Sequence, residues 1–124
     1  MKTYELFVGE DLKIAEKIQQ RRYQMLIHSC IYYRLDKNII SDETWNRWAN
    51  ELKDLQKQYP SIAEKVIFYD IFKDWDGSTG AFLPLDLDWV VKLANKLLSY
   101  EQKEIVNTVE IVSKSRNAVK KKLF

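Results

Sequence analysis

The chain has few of the residues that break or staple a fold. Three glycines and two prolines in 124 residues leave too little punctuation for an all-β design of many short strands, so long helices are favoured. A single cysteine, Cys30, excludes an internal disulfide and suits a reducing compartment, and its place in the apolar run from Met25 to Ile31 marks it as a buried side chain. A single histidine, His28, cannot build a zinc site with that one cysteine. No apolar run approaches the roughly 18 residues of a membrane helix, and the amino terminus lacks a signal-peptide pattern, so a cytoplasmic protein without a membrane partner is expected. The formal charge of +2 is too small to argue for nucleic acid by itself.

What is present describes a globular chain. Hydrophobic residues make up 46% and charged residues 31%, well away from the composition of disordered chains. The length fits one domain, residues 1–124, with a helical pair over 10–60 and a helical tail over 61–124 that carries a loop at 73–84. The expected class is all-α, a compact domain of four to five helices.

The periodicity supplies the elements. Residues 1–9 alternate around Tyr4, Leu6 and Val8 and read as a short extended arm. From Glu10 to about Arg34, Ile14, Ala15, Ile18, Met25 and Leu26 recur at helical spacing, with Arg21 and Arg22 interrupting the apolar stripe. A second helix is expected to start at Ser41, whose hydroxyl can cap a free backbone amide, with Asp42 and Glu43 at the positive end of the helix dipole. Trp45, Trp48, Ala49, Leu52, Leu55 and Tyr59 share its buried face, and Pro60 ends it. Ser61 to Glu64 reads as a capping box opening a third helix of two to three turns through Ile67, Tyr69 and Phe72. A fourth helix is expected from Asp86 or Asp88 to Leu98. A second capping box, Ser99 to Gln102, predicts a restart as a fifth helix with a heptad-like stripe of Ile105, Val109, Val112, Val119 and Leu123. That stripe either packs on its own domain or forms a homodimer through residues 100–124. The basic run Lys120 to Lys122 suits the negative end of a helix.

One stretch carries more than periodicity. His28, Tyr32, Tyr33, Asp36, Ser41, Asp42, Trp45, Glu51, Leu52 and Pro60 fall at fixed offsets without a gap. In this it resembles the amino-terminal domain of the NAD-dependent bacterial DNA ligases, whose pattern reads roughly H-x-x-x-Y-Y-x-x-D-x-P-x-I-S-D-x-x-Y-D-x-L-x-x-E-L. The resemblance implies a helix-turn-helix pair in the first half, and a pocket for the nicotinamide end of NAD on Tyr32, Tyr33, Asp42, Trp45 and Asn46. It implies NAD or nicotinamide mononucleotide as a ligand, with no required cofactor. Trp45 stands where the family has tyrosine, Asn46 where it has aspartate, and Asn38 where it has proline. Lys73-Asp74-Trp75-Asp76-Gly77 misses the nucleotidyl K-x-D-G motif by one residue, and the stretch after Pro60 is too short for an adenylation domain. Ligase activity is therefore not expected.

The remaining motifs weigh against catalysis. No serine or cysteine sits in a nucleophile motif, and the Asp74–Gly77 segment lacks the oxygens of a calcium loop. The neighbouring aspartates make a phosphate loop a poor reading of Gly77 and Gly80. Trp75, Asp76, Phe82, Asp86 and Trp89 instead suit either a protein partner with a basic surface or packing on the domain itself.

By resemblance to small free-standing phage and prophage proteins with a ligase-like segment, the leading expectation is a non-catalytic accessory protein. It would bind stoichiometrically to a host or phage DNA-metabolism or defence protein, as an inhibitor for example, in the host cytoplasm. The alternative is a nicotinamide-nucleotide binding module. The third reading is weak nucleic-acid binding through Arg21, Arg22, Arg34 and the basic tail.

Overall fold

The stretch between Gly9 and Pro60, free of both residue types, supplies the first two helices, and the first of them is the spine of the molecule. In the computed structural model, which describes residues 7–115 and side chains to Glu101, α1 runs over Gly9–Tyr33 with α2 (Asp42–Gln58) and α5 (Asp88–Ser115) both packed against it. Two single turns, α3 (Pro60–Ala63) and α4 (Tyr69–Phe72), lie between them, and the described residues contain no strand. The fold is all-α. The expected arm falls on residues 1–6, outside the described residues, apart from the half-buried Phe7 and the exposed, extended Val8. The basic tail and Arg116, Val119 and Leu123 lie outside them too, as do the side chains on which a homodimer through residues 100–124 would depend.

Ala15, Ile18, Met25, Leu26, Cys30 and Ile31 of α1 meet Ala49 and Leu52 of α2 and Val90 and Ala94 of α5 in one apolar core, so helical spacing in the sequence does identify the inward faces. Cys30 is fully buried, which pushes its thiol pKa up. The first helix is closed by Asp36, which takes a left-handed conformation (φ 54°) while the Lys37 amide donates to the Ile31 carbonyl at 3.0 Å. That bond spans six positions and closes the end of the helix, and a short polar residue tolerates the left-handed backbone there better than a branched one would. At the other side of the turn the Thr44 amide donates to Ser41 Oγ at 3.1 Å, the expected cap of α2.

The third helix departs from expectation. Instead of two to three turns opened by Ser61, the chain makes one turn with Pro60 in its first position, leaves the helical path at Glu64, and reaches Phe68 in a left-handed conformation (φ 73°) before α4. Arg22 explains the break. Its guanidinium, fully buried, donates from Nη1 to the carbonyls of Val66 (2.9 Å) and Ile67 (3.0 Å), from Nη2 to Ala63 (3.2 Å), and from Nε to Gln56 Oε1 (2.9 Å). The Val66 and Ile67 carbonyls are aimed at the cation, and the Ala63 carbonyl is shared between it and the Val66 amide at 3.3 Å. Burial lowers the arginine's pKa to about 10, so it remains charged at neutral pH.

A second correction concerns Ser99. No helix ends there: α5 is continuous from Asp88 to Ser115, because Leu97 and Leu98 are good helix formers and nothing before the serine stops the helix. A capping box acts only where the chain has already left the helix.

Replacing Arg22 with methionine keeps the apolar stem and strips the donors from three backbone carbonyls. Arg22→Met and Arg22→Lys are each expected to lower stability by about 3 kcal/mol in urea titrations, because one ammonium cannot span the same acceptors. A loss below about 1 kcal/mol for either would contradict the capping role.

Candidate functional site

The turn between α1 and α2 folds the end of the first helix back on the start of the second, and a cleft of about 290 Å³ opens between them. All five residues singled out for the nicotinamide pocket line it: Tyr32 and Tyr33 from α1, and Asp42, Trp45 and Asn46 from α2. Fixed offsets bring them together because the Asp36 stop and the Ser41 cap set both helix ends. Tyr32 and Tyr33 stand edge to face with ring centres 4.8 Å apart, and both rings are substantially exposed.

The cleft has a further wall that the fixed offsets do not account for. Ser78 and Thr79, from the loop after α4, line it together with His28, Ser29, Asn38, Ile40 and Ser41. Thr79 Oγ1 lies 3.0 Å from the Tyr33 hydroxyl, and the Trp75 indole donates to the Thr79 carbonyl at 2.7 Å while its ring meets Trp45 edge-on with centres 6.3 Å apart. Gly80 lies so close to α1 that a Cβ there would come within 2.0 Å of Ser29 Oγ and 2.7 Å of its Cβ. Glycine is required by that approach.

Among the side chains lining the cleft, Asp42 is the single carboxylate, and no lysine or arginine joins it. His28 is more than nine-tenths buried, its ring tilted against Trp48 with centres 5.6 Å apart, and burial lowers its pKa below 6.5. The imidazole is therefore neutral at physiological pH. Its Nδ1 has no hydrogen-bond partner on the protein, and the same holds for the buried Ser29 Oγ. Ser29, Ser78 and Thr79 escaped the sequence reading because no short pattern links a helix residue to a loop about fifty positions later.

The candidate partner residues do not converge in the same way. Trp75 packs edge-on against Phe72 and Trp45, and Trp89 stacks on Phe68 with ring centres 5.0 Å apart and planes 8° from parallel. Asp76 accepts from both the amide and the hydroxyl of Ser78, which lowers its pKa, and Asp86 accepts from Arg34 Nε at 2.8 Å. Phe82, 92% exposed, is the one candidate aromatic turned to solvent. Of the arginines considered for nucleic acid, Arg22 is inside the core, Arg21 is paired with Glu51 and lies over Trp48, and Arg34 holds Asp86.

Comparison with known proteins concerns the segment that carries α1 and α2. Residues 11–65 match the family model described as DNA ligase-like, N-terminal NAD+-binding domain. A DNA ligase of Syntrophomonas wolfei is 37% identical over 49 residues, 40% of this chain and 7% of that protein. A DNA ligase of Pseudothermotoga lettingae is 38% identical over 55 residues, 44% of this chain and 8% of that protein. The chain thus spans less than a tenth of the length of these relatives. No solved structure matches significantly. The first half of the chain therefore resembles the amino-terminal NAD+-binding domain of the DNA ligases, and the Ser78–Thr79 wall lies beyond the matched segment.

Two outcomes follow from this geometry. Gly80→Ala is expected to cost about 1–3 kcal/mol by overpacking and to change the tryptophan emission of the Trp45–Trp75 contact, with Ser29→Ala restoring part of the loss. Wild-type stability in both variants would show that the loop does not close on α1. Because the folded state holds His28 neutral, with a pKa below its unfolded value of 6.5, stability present above pH 6.5 is lost as pH falls through that value toward the folded pKa. Denaturant midpoints between pH 7 and pH 5 should fall less steeply in His28→Phe than in the wild type.

Proposed function

We propose that this protein binds a nicotinamide nucleotide, NAD or nicotinamide mononucleotide, in the cleft between α1 and α2. The observation that carries the reading is the convergence of Tyr32, Tyr33, Asp42, Trp45 and Asn46 on one cleft inside the segment that matches the NAD+-binding domain family. A cationic pyridinium over exposed aromatic faces gains roughly 0.5–2 kcal/mol per face, and Asp42 supplies one negative charge. The neutral Asn46, where the ligase pattern has aspartate, makes this a modest site. Binding in the micromolar to millimolar range is the expectation.

The reading as a stoichiometric accessory of another protein has less to support it. Trp75 and Trp89, two of its three aromatics, are engaged within the fold, and Asp86 is held by Arg34. What remains is the exposed Phe82, too small a patch to rank above a formed cleft.

Calorimetry and thermal shift with NAD and nicotinamide mononucleotide test the proposal, since a ligand of the folded state must raise the melting temperature. Trp45→Ala and Asp42→Asn are each expected to weaken binding by about tenfold, equivalent to about 1.4 kcal/mol. Absence of any shift at millimolar ligand would refute it.

A further inference from the structure

The wall that residues 77–82 add to the cleft is tied together more firmly than it is tied down. Within it and at its ends, the Ser78 amide and hydroxyl both donate to Asp76, and the Ala81 amide donates to Thr79 Oγ1 at 3.1 Å. The Leu83 amide donates to the Gly80 carbonyl at 3.2 Å, and the Trp75 indole to the Thr79 carbonyl at 2.7 Å. Among the described residues one hydrogen bond crosses from this segment to the helix pair, between Thr79 Oγ1 and the Tyr33 hydroxyl, and it is exposed to solvent. Such a bond adds little net, because water offers each hydroxyl the same partner. The ends of the segment are fixed: Trp75 packs on Phe72 and Trp45, and Leu83 is buried. Gly77, at φ 82°, supplies a joint that no side chain stiffens.

What the segment covers favours its lifting. Gly80 presses on Ser29 so closely that a Cβ there would stand 2.0 Å from Oγ, and Ser29 is 1% exposed with that oxygen paired to no group of the protein. Buried polar atoms are nearly always paired, and a hydroxyl without a partner forgoes the hydrogen bonds it makes in water. That loss falls on the shut arrangement alone. We propose that residues 77–82 form a lid on the cleft, held shut by the Tyr33–Thr79 hydroxyl pair and the contact with Trp45, and driven open by the solvation of Ser29 Oγ. The lid swings as a unit, because its own hydrogen bonds survive the movement.

Ser78 and Thr79 line the cleft, so an occupant that bridges them to Tyr33 or Trp45 favours the shut state. This coupling rests on the nucleotide-binding reading, whereas the lid itself does not. The lid also lies beyond residues 11–65, which match the NAD+-binding domain family. Two small substitutions push it in opposite directions. Ser29→Ala removes the unpaired oxygen, adds no bulk and favours the shut state. Tyr33→Phe keeps the ring, removes the one crossing hydrogen bond and favours the open state.

Hydrogen exchange of the Gly80 amide, followed by NMR on the intact protein and read relative to the core amides of Ile18 and Leu52, reports the open population. In the free wild type Gly80 is expected to exchange at least about a hundredfold faster than those core amides. Ser29→Ala is expected to slow it by about fivefold or more, and Tyr33→Phe to speed it by about twofold or more. Saturating nicotinamide mononucleotide is expected to slow it as well. Gly80 as protected as the core in the wild type, or exchanging at an unchanged or faster rate in Ser29→Ala, would overturn the lid. Calorimetric binding of the nucleotide with no change at Gly80 would overturn the coupling of lid to cleft. Absence of binding would overturn the nucleotide reading, while the rates in the free wild type and the two variants still decide the lid.

Discussion

The arrangement depends on one cation in the wrong place for a surface residue. Arg22 sits in the middle of α1, is sealed from solvent, and answers Gln56 of α2 and the carbonyls of Ala63, Val66 and Ile67 with a single rigid fork. Gln56 in turn donates from Nε2 to the Phe72 carbonyl at 3.2 Å, so the network extends from the spine through α2 to α4. An arginine can do this because its five donors are fixed in a plane and its charge survives burial at neutral pH. Its consequence is geometric: the chain cannot remain helical past Ala63, and it turns back toward α1. The left-handed Phe68 is the point of that turn. Its ring is held between Tyr23 of α1, edge to face with centres 5.0 Å apart, and Trp89 of α5, which offsets the strain of a bulky residue at positive φ.

That redirection is what gives the cleft its additional wall. Had the third helix continued for the expected turns, the loop from Lys73 to Pro84 would have started farther along the helix axis. From where it does start, Trp75 reaches Trp45 and Phe72, and Gly80 meets Ser29. The ligase-like helix pair and the chain beyond it are therefore joined at the site and not merely at the core. The Tyr33 to Thr79 contact makes the point at the level of single atoms, since one hydroxyl belongs to the family-like segment and the other does not.

How much of this the sequence discloses depends on how local each feature is. The α1 and α2 faces and the Ser41 cap rest on short-range rules, helical period and capping chemistry, whereas the grouping of Tyr32, Tyr33, Asp42, Trp45 and Asn46 is what the resemblance to the ligase pattern implies. Arg22 did not yield to them. A charged residue in an apolar stripe reads as an interruption, and only the tertiary fold shows three carbonyls converging on it from more than forty residues away. The Ser61 and Ser99 motifs misled for a related reason. A capping box reports that a serine can cap a helix, while whether the chain is leaving a helix there is decided by Arg22 in one case and by the uninterrupted leucines of α5 in the other. Trp75 and Trp89 were open to two readings for the same cause, since an aromatic in a loop looks alike whether it faces a partner or its own core.

The departures from the ligase pattern make more sense inside this cleft than along the chain. Trp45 in place of tyrosine looks like the loss of a polar contact. In the fold, however, the larger indole is what Trp75 packs against, and its Cζ2 lies 3.3 Å from where a Cβ on Gly80 would stand. A tyrosine ring would leave part of that contact empty. The indole is therefore coupled to the loop, and the loop to Ser29. Asn46 belongs to the same logic. With Asp42 as its single carboxylate, the cleft is otherwise lined by uncharged side chains. Trp45 and the loop it meets thus form one packing unit shared between the helix pair and the chain beyond it.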